Sequence, residues 1–382
     1  MIRVKVGAPI ILATLLSACA PSLGEAYERS FAAGRRAFSA GRFEEAAQEF
    51  ETAAKNATRV KDRDEALFEV ARMHEKRGAY AQARDAYERV TKTSPTGPRA
   101  ARAAYDMALV EVDHGDAERG YALLFEATFK YPRHGSARRS LHRLIEHQGD
   151  LGGDEGIVRW IDGPGKTLRG SELDQQLDYE KALALDRLGK TAEARDLWVK
   201  TAQEHPYPFG GLTDDALWQA SLAEEKLGRY DAAIARLRTL LADREASRMT
   251  GSYERPRYSP AQMRIAELYR DKLNDHRAAR REFHTVYAGH PTSSLRDDAL
   301  WSEAVLAAAD GDKREACSLM ETLRKEFADS RYARCGRLVC ETIKPAPNEK
   351  PCANYIERQV RGEKVDEPAD ESDDRKDEAT SP

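Results

Sequence analysis

The sequence has no apolar run long enough to cross a membrane and no strongly basic domain. Its N-terminal apolar run, Val6 to Leu16, is shorter than the about 20 residues that a spanning helix needs. The 382 residues are 33% charged and 41% apolar, which is too polar for a membrane channel. The formal net charge of -4 gives no support for nucleic-acid binding. These absences leave a chain long enough for a large core or a long repeat array.

Catalytic motifs are also missing. The stretch from Gly163 to Thr167 is similar to the end of a phosphate-binding loop, but that pattern needs a glycine where Trp160 stands. The H-x-x-x-E-H stretch from His142 to His147 is one residue longer than the inverted zinc motif, and a surface role explains it better. We therefore predict no enzyme activity, no metal site, and no cofactor except covalent lipid.

The N-terminus carries a signal for export and lipidation. Arg3 and Lys5 precede the apolar run, which ends in Leu16-Ser17-Ala18-Cys19. This ending resembles the lipobox of bacterial lipoproteins, whose cysteine becomes the lipid-modified N-terminus. The resemblance implies a signal peptide over residues 1–18 and acyl chains on Cys19, each buried methylene contributing about 0.8 kcal/mol to membrane binding. The alternative is an ordinary secretory signal with a chance cysteine.

The residue after the modified cysteine implies the destination. Residue 20 is Ala rather than Asp, which by the lipoprotein sorting rule implies the outer membrane of a Gram-negative cell. We expect the protein to face the periplasm, with residues 19–26 as lipid anchor and short linker.

The other four cysteines lie near the C-terminus, where an oxidising compartment favours two disulfides. Three pairings are possible. Cys335 and Cys340 are five apart on one predicted helix, so their side chains should diverge. Cys317 and Cys340 are nearly equidistant from a turn near Asp329, so a helical hairpin should bring them level. We therefore predict the pairs Cys317–Cys340 and Cys335–Cys352. The spacing does not suit zinc, since no C-x2-C is present.

A turn residue recurs along most of the chain. Steps of 37 residues separate the first markers, a step of 74 spans one degenerate unit, and later steps are 39, 46 and 37. The markers are Gly41, Gly78, Gly115, Gly189, Gly228, Asn274 and Gly311, with Gly152 at the midpoint of the long step. Glycine and asparagine both tolerate the positive φ that ends a helix in a tight turn.

Other residue types keep a fixed distance from the marker. A small residue lies five positions after it: Ala46, Ala83, Gly120, Ala194, Ala233, Ala279 and Ala316. A bulky residue lies nine after it: Phe50, Tyr87, Leu124, Trp198, Leu237, Phe283 and Met320. A proline lies seventeen after it in four units: Pro95, Pro132, Pro206 and Pro291. This combination resembles the tetratricopeptide repeat.

The resemblance covers about four fifths of the chain. It implies an all-α fold, a right-handed solenoid of about eight helix pairs, because one pair cannot bury its apolar face alone. We assign units 1–3 to residues 27–135, a degenerate unit 4 to 136–171, and units 5–8 to 172–330. An Arg-rich insert at about 244–260 is interpreted as a solvated loop or as a partner contact. A capping helix and disulfide region follows at 331–354, and a disordered acidic tail at 355–382.

A ladder of aromatic residues lies ten positions before the marker. By the resemblance, this position lies on the first helix of each pair near a concave groove, where aromatic rings make good interface anchors. Candidate partner contacts are Phe31, Arg35, Phe68, Arg72, Glu75, Tyr105, Tyr179, Trp218 and Trp301. The competing interpretation is that the rings are core packing between neighbouring helices.

These observations predict a non-enzymatic protein–protein interaction scaffold of the cell envelope. The resemblance is to envelope tetratricopeptide proteins that serve outer-membrane protein assembly or coordinate cell-wall synthesis with division. Expected partners are envelope proteins, bound as an extended peptide or a helix in the groove, and the membrane through the lipid. We expect no nucleic acid and no small-molecule substrate. The alternatives are an accessory subunit that recruits a peptidoglycan-lytic enzyme, or a part of a trans-envelope motility or secretion machine.

Overall fold

The computed structural model describes residues 24–242, 255–345 and 350–363, and these residues form helices, turns and loops without a β-strand. The chain divides into an N-terminal unit, Met1–Asp174, and a C-terminal unit, Gln175–Pro382. No helix in the described ranges is both long and apolar enough to cross a membrane. The predicted signal peptide, Cys19, most of the insert and residues 364–382 of the tail lie outside the described residues.

The N-terminal unit is a stack of antiparallel helix pairs, in which each second helix packs on its own first helix and on the next one. Its helices are α1 (Glu25–Ser39), α2 (Phe43–Asn56), α3 (Val60–Lys76), α4 (Tyr80–Thr93), α5 (Ala100–His114), α6 (Ala117–Lys130) and α7 (Ala137–Asp162), followed by a 3-10 helix, Pro164–Leu168.

The last of these helices, α7, is itself bent into a hairpin. Its backbone leaves helical geometry at Gly152 and at Gly153, where φ is +61°. Beyond the bend, a Cβ on Gly156 would lie 2.6 Å from the carbonyl oxygen of Gln148. Only glycine fits this close approach. The region predicted as a degenerate repeat is therefore a tight hairpin without the turn of its neighbours.

The C-terminal unit repeats the arrangement. Its helices are α8 (Asp174–Arg187), α9 (Thr191–Glu204), α10 (Thr213–Lys226), α11 (Tyr230–Ala242), α12 (Tyr258–Asp271), α13 (His276–Gly289), α14 (Arg296–Ala309), α15 (Lys313–Glu326), a 3-10 helix (Ala333–Leu338) and α16 (Asn354–Val360). The helix α12 begins inside the predicted insert, so residues 258–260 are helical rather than loop; Pro260 fits there because the first helical turn needs no amide donor.

The repeat pattern explains the core of both units. All seven small residues five after the turn are buried, and so are all seven bulky residues nine after it. The helices α4, α6, α9 and α13 each end two residues before the predicted proline. The turn markers have positive φ, except Gly115, whose φ is -131°, and Gly152 of the degenerate unit, whose φ is -151°. A Cβ at Gly115 would lie 2.7 Å from a carboxylate oxygen of Glu111, so close packing accounts for that glycine.

Buried carboxylates join neighbouring pairs. Glu111 on α5 is 2% exposed and accepts a hydrogen bond from Arg84 of the preceding pair, while Arg119 of its own pair lies 3.7 Å away. Arg84 lies six residues after its turn, and Glu111 lies four before the next turn. A buried charge is tolerated only when paired and hydrogen-bonded, and the arginines supply this pairing.

The C-terminal unit uses the same positions. Glu224 on α10 is also 2% exposed, and Arg195 of the preceding pair donates to both of its oxygens at 3.3 and 3.2 Å. Arg229 and Arg236, which belong to the same helix pair as Glu224, lie with their guanidinium nitrogens 3.9 and 3.8 Å from its carboxylate oxygens. We call each of these groups, a buried glutamate with its arginines, a clamp. The clamp at Glu111 joins two neighbouring hairpins of the N-terminal unit, and the clamp at Glu224 joins two of the C-terminal unit.

A disulfide-bonded cap covers the last hairpin. The structure contains the predicted pairs, Cys317–Cys340 and Cys335–Cys352. Cys335 lies in a 3-10 helix that ends before Cys340, not on one shared helix as expected. The prediction of a disordered tail from residue 355 is wrong for 355–363, since α16 forms there and Ile356 is fully buried against the last hairpin.

We expect Glu224→Ala to lower the free energy of unfolding by about 3 kcal/mol, because it leaves the half-buried Arg195 and two further arginines without their shared anion. Urea unfolding followed by circular dichroism measures the loss, and hydrogen exchange should place it in α9 to α11. Glu321→Ala, at an exposed site in the middle of α15, is the matched control and should change stability by less than about 0.5 kcal/mol. Equal effects of the two substitutions would contradict the clamp.

Candidate partner-binding clefts

The N-terminal unit has a cleft between neighbouring first helices. It lies between α3 and α5, with the second-helix residue Tyr87 at its base, and has a volume of about 330 Å³. We call it the N-terminal cleft. Its lining residues are Arg72, Glu75, Lys76, Tyr87, Arg102, Asp106, Leu109, Val110, Asp113 and His114. The surface is therefore charged with both signs around a small apolar patch, which suits a polar peptide better than an apolar ligand.

The charged groups of this cleft are held in place by one another. The guanidinium of Arg102 donates to both oxygens of Asp106 at 2.8 Å. The hydroxyl of Tyr87 donates to Glu75 at 2.9 Å. Arg72 donates to both oxygens of Glu69 at 2.9 and 3.0 Å. Because these side chains are already ordered, a partner would lose less conformational entropy on binding them.

Asp106 is a carboxylate of the cleft whose pKa is shifted by its surroundings. Burial raises its pKa above the usual value, and the neighbouring guanidinium of Arg102 only partly offsets this effect. Burial also raises the pKa of the Tyr87 hydroxyl, which therefore stays protonated and keeps its hydrogen bond to Glu75. A cation from a partner would favour the ionised form of Asp106, so the site is suited to a lysine or arginine side chain.

The C-terminal unit has a second, larger cleft of about 570 Å³ between α12, α14 and the cap. We call it the C-terminal cleft. Asp298 accepts hydrogen bonds from Arg331 at 2.8 Å and from the Tyr332 hydroxyl at 2.9 Å. The ring of Tyr332 stacks on Trp301 with 5.0 Å between centroids. Met263, Val305 and Val360 add apolar surface, so this cleft can take a larger apolar group.

The two clefts are built from the same repeat positions. Positions are counted back from the turn residue, which is Gly115 for the N-terminal cleft and Gly311 for the C-terminal cleft. Position 13 is Arg102 in the first cleft and Asp298 in the second. Position 9 is Asp106 and Ser302, and position 6 is Leu109 and Val305, in the same order. These positions are spaced i, i+4 and i+7, so they form one stripe on the first helix. The fold therefore presents a repeated stripe of side chains whose chemistry differs between the units.

The predicted contact residues are distributed between cleft and core. Arg72 and Glu75 line the N-terminal cleft, and the mostly buried Trp301 lines the C-terminal one. Phe68 is 4% exposed and Tyr105 is fully buried, so their rings are core and the interpretation as partner contacts is corrected. Burial raises the pKa of Tyr105 to about 12, and its hydroxyl donates to the carbonyl of Tyr131 at 3.1 Å.

The remaining candidates lie outside the two clefts. Phe31 is half-buried against the rings of Tyr27 and Phe50, so it belongs mainly to the core of the first pair, whereas Arg35 is exposed on α1. In the C-terminal unit, Tyr179 and Trp218 are half-buried. The role of these four residues in partner binding stays a prediction.

The ring of Trp218 lies under the guanidinium of Arg257, 5.2 Å from its centroid. Burial and the nearby Asp215 raise the pKa of Tyr179. Tyr179 on α8 and Trp218 on α10 therefore each lie beside a charged group, and part of each ring remains exposed to solvent.

Sequence reasoning missed Arg102, Asp106 and Asp298, which form the polar centres of the clefts. The aromatic position ten before the turn drew attention because its residues are large. Shifting by one residue, to position 9, would have selected Asp106 and Ser302. Polar residues repeating at positions 13 and 9, one helical turn apart, were the available signal.

Part of the chain matches a known repeat family. Residues 31–98 match the tetratricopeptide repeat family. The C-terminal part of a TPR repeat-containing protein from Cytophaga hutchinsonii is 14% identical, with coverage of 71% of this chain and 99% of that chain and a TM-score of 0.41. The TPR2AB domain of yeast Sti1, solved as a complex with pHSP90, is 13% identical, with 78% and 98% coverage and a TM-score of 0.28.

The TPR domain of P58(IPK) is 15% identical, with 82% and 87% coverage and a TM-score of 0.26. The comparison with curated proteins found no match. The match to the tetratricopeptide repeat family covers two helix pairs, α1 to α4. Among the described residues, no group of three or more His, Cys, Asp or Glu side chains is placed to hold a metal ion.

We expect Tyr105→Ala to destabilise the N-terminal unit by about 3 to 5 kcal/mol, because it removes a fully buried ring. Arg102→Ala removes an exposed side chain three residues away and should cost less than about 1 kcal/mol. Thermal unfolding of both variants provides the comparison. If Tyr105→Ala left the unfolding temperature unchanged, the ring would not be a core residue.

Proposed function

We propose that this protein is a non-enzymatic scaffold, lipid-anchored to the outer membrane and facing the periplasm, that holds envelope proteins in the clefts of its helical repeats. Its processes would be outer-membrane protein assembly or the coordination of cell-wall synthesis with division. The observation that carries the proposal is the stripe at positions 13, 9 and 6, which builds a cleft in each unit.

The chemistry of the clefts supports peptide or helix binding. Both combine a pre-ordered charged group with an apolar patch, and both are open along the face of the first helices rather than closed around a small molecule. A partner segment can therefore place a charged side chain near Asp106 or Asp298 and an apolar one near Leu109 or Val305. Such paired polar and apolar contacts give both affinity and selectivity.

The covalent chemistry supports the location. Disulfides form and persist in oxidising compartments such as the periplasm. Of the two in this chain, Cys317–Cys340 joins the cap to α15 and Cys335–Cys352 joins two segments of the cap. The Leu16-Ser17-Ala18-Cys19 sequence supports lipidation, and the Ala at position 20 supports the outer membrane.

A photo-crosslinking amino acid placed at Leu109 or Val305 tests the clefts in living cells. Each has a matched position in a second helix of its own unit, Glu126 or Glu321, which is exposed and lies outside the cleft linings. We expect defined adducts with envelope proteins from the cleft positions and few from the controls, as identified by mass spectrometry. The same adducts from all four positions would contradict binding in the clefts.

Reversing the charged pair gives a sharper version of this experiment. Arg102→Glu with Asp106→Arg keeps the pair but exchanges its charges, so the fold should tolerate the change. A partner selected by these charges should lose about tenfold or more in adduct yield at Leu109, because like charges then face each other. Adducts at Val305, in the other unit, serve as the internal control and should not change.

Cys19→Ser tests the anchor. Without the acceptor thiol we expect the protein to leave the outer-membrane fraction, and the N-terminal peptide of the native protein, but not of the variant, to carry the mass of acyl chains. Membrane fractionation and mass spectrometry measure both results. The lipoprotein assignment would fail if no lipid were found on the native protein and the variant stayed membrane-bound through an uncleaved signal.

A further inference from the structure

The N-terminal unit has two edges of different composition. One edge, here called the loop edge, consists of the connections from each second helix to the next first helix with the helix ends beside them, residues 57–60, 94–99, 130–139 and 169–174. The third range takes in the last residue of α6 and the first three residues of α7. The opposite edge, here called the turn edge, consists of the turns within the hairpins, residues 39–43, 76–80, 114–118 and 151–154. An antiparallel stack of pairs necessarily places these two sets of connections at opposite ends of the helices.

The connections of the loop edge contact one another and form a continuous surface. The hydroxyl of Tyr131 donates to the carbonyl of Pro95 at 2.7 Å, which joins the second and third connections. Arg133 pairs with Glu172 at 3.4 Å, which joins the third and fourth. Arg99 pairs with Glu65 in the second turn of α3, the helix that follows the first connection.

The loop edge is strongly cationic. It contains seven basic residues, Arg59, Arg99, Lys130, Arg133, Arg138, Arg139 and Arg169, and two acidic ones, Glu172 and Asp174. The turn edge contains three basic residues, Arg42, Lys76 and Arg77, and three acidic ones, Asp116, Glu118 and Asp154. The segment 130–139 alone has four cations and no acid. The unit is therefore polarised, with its positive end at the loop edge.

The most basic segment is also exposed. Lys130, Arg138 and Arg139 are exposed, and the side chain of Arg133 is 86% exposed. Its partner Glu172 is itself 61% exposed, and such a surface ion pair is weak enough to exchange for another anion. A cavity of about 570 Å³ lies beside this segment, and its lining includes Lys130, Tyr131, Arg133 and His134.

The predicted anchor lies at the same edge. The first described helix starts after Gly24, where a Cβ would lie 3.8 Å from the Cγ2 atom of Thr58, in the first connection. Cys19 lies five positions before Gly24, so the chain between them can span at most about 17 Å. A lipid on Cys19 would hold the loop edge at its first connection close to the bilayer.

From this geometry we infer that the loop edge lies on an anionic membrane surface, with the cations of residues 130–139 bound to the phosphate groups of lipids. The inference rests on the proposed lipid anchor for its biological setting. The lipid on Cys19 would keep the N-terminal unit near the bilayer, and the cations would turn its loop edge toward the lipid phosphates.

The test is co-sedimentation with vesicles of phosphatidylcholine, with or without phosphatidylglycerol. It uses the mature chain from Cys19, whose thiol is outside both disulfides and is blocked with N-ethylmaleimide. We expect binding only with phosphatidylglycerol, and weaker binding at high salt. Each cation near an anionic surface strengthens binding roughly fivefold, so Lys130→Glu, Arg133→Glu and Arg139→Glu together should lower it at least about a hundredfold.

The matched control reverses three cations of the turn half of the same unit, Arg36→Glu, Arg42→Glu and Lys76→Glu, with the same change in net charge. These residues are exposed, and we expect at most a few-fold loss of binding. Equal losses in the two variants, or no preference for phosphatidylglycerol, would overturn the inference. So would stronger competition by polyglutamate than by vesicles, which would indicate an acidic protein surface as the occupant.

The vesicle result is independent of whether the cell attaches a lipid to Cys19, because the thiol is blocked. A protein that lacks native lipid but still binds through residues 130–139 would contradict the anchor and support the membrane-facing edge. Coupling Cys19 to a lipid and measuring hydrogen exchange gives the second readout. Protection of backbone amides in 130–139 on anionic but not on neutral vesicles is expected, and its absence would overturn the orientation.

Discussion

The close approach of the two helices in each hairpin is the constraint on which both units depend. It requires a small residue five positions after the turn, most clearly at Gly120, where a Cβ would lie 2.4 Å from the backbone nitrogen of Val112. With the helices this close, the bulky residue nine after the turn is removed from water. The second helix then still has an apolar side to bury, and the next first helix covers it.

This constraint explains which features could be predicted from the sequence. Turn, small, bulky and proline positions are local requirements of the hairpin, so each leaves a residue type at a fixed spacing. The pairing of Cys317 with Cys340 was predicted from a helical hairpin and is present, but Cys340 follows a 3-10 helix rather than lying on a second α-helix. Features that depend on spacing along the chain could therefore be read without knowledge of the packing.

Features that depend on neighbouring hairpins could not be read in this way. An aromatic ring ten positions before the turn faces the core or the solvent depending on which ring or helix packs against it. Tyr105 is fully buried, whereas Trp218 lies beside the guanidinium of Arg257 and keeps part of its surface exposed. The bend at Gly153 and the burial of Ile356 have the same origin. The latter depends on a disulfide that brings a distant segment onto the last hairpin, which local composition does not show.

The structure separates the residues that make the fold from those that could select a partner. Burial falls on positions five and nine after the turn, whereas the cleft stripe falls on positions 13, 9 and 6 before it. Exchanging Asp106 for the serine found at the equivalent position 302 would change the charge of a cleft without altering the buried Ala83, whereas Tyr87 belongs both to the core and to the base of this cleft. Because the two sets of positions are independent, one unit can acquire a charged cleft and the other a more apolar one on the same hairpin geometry.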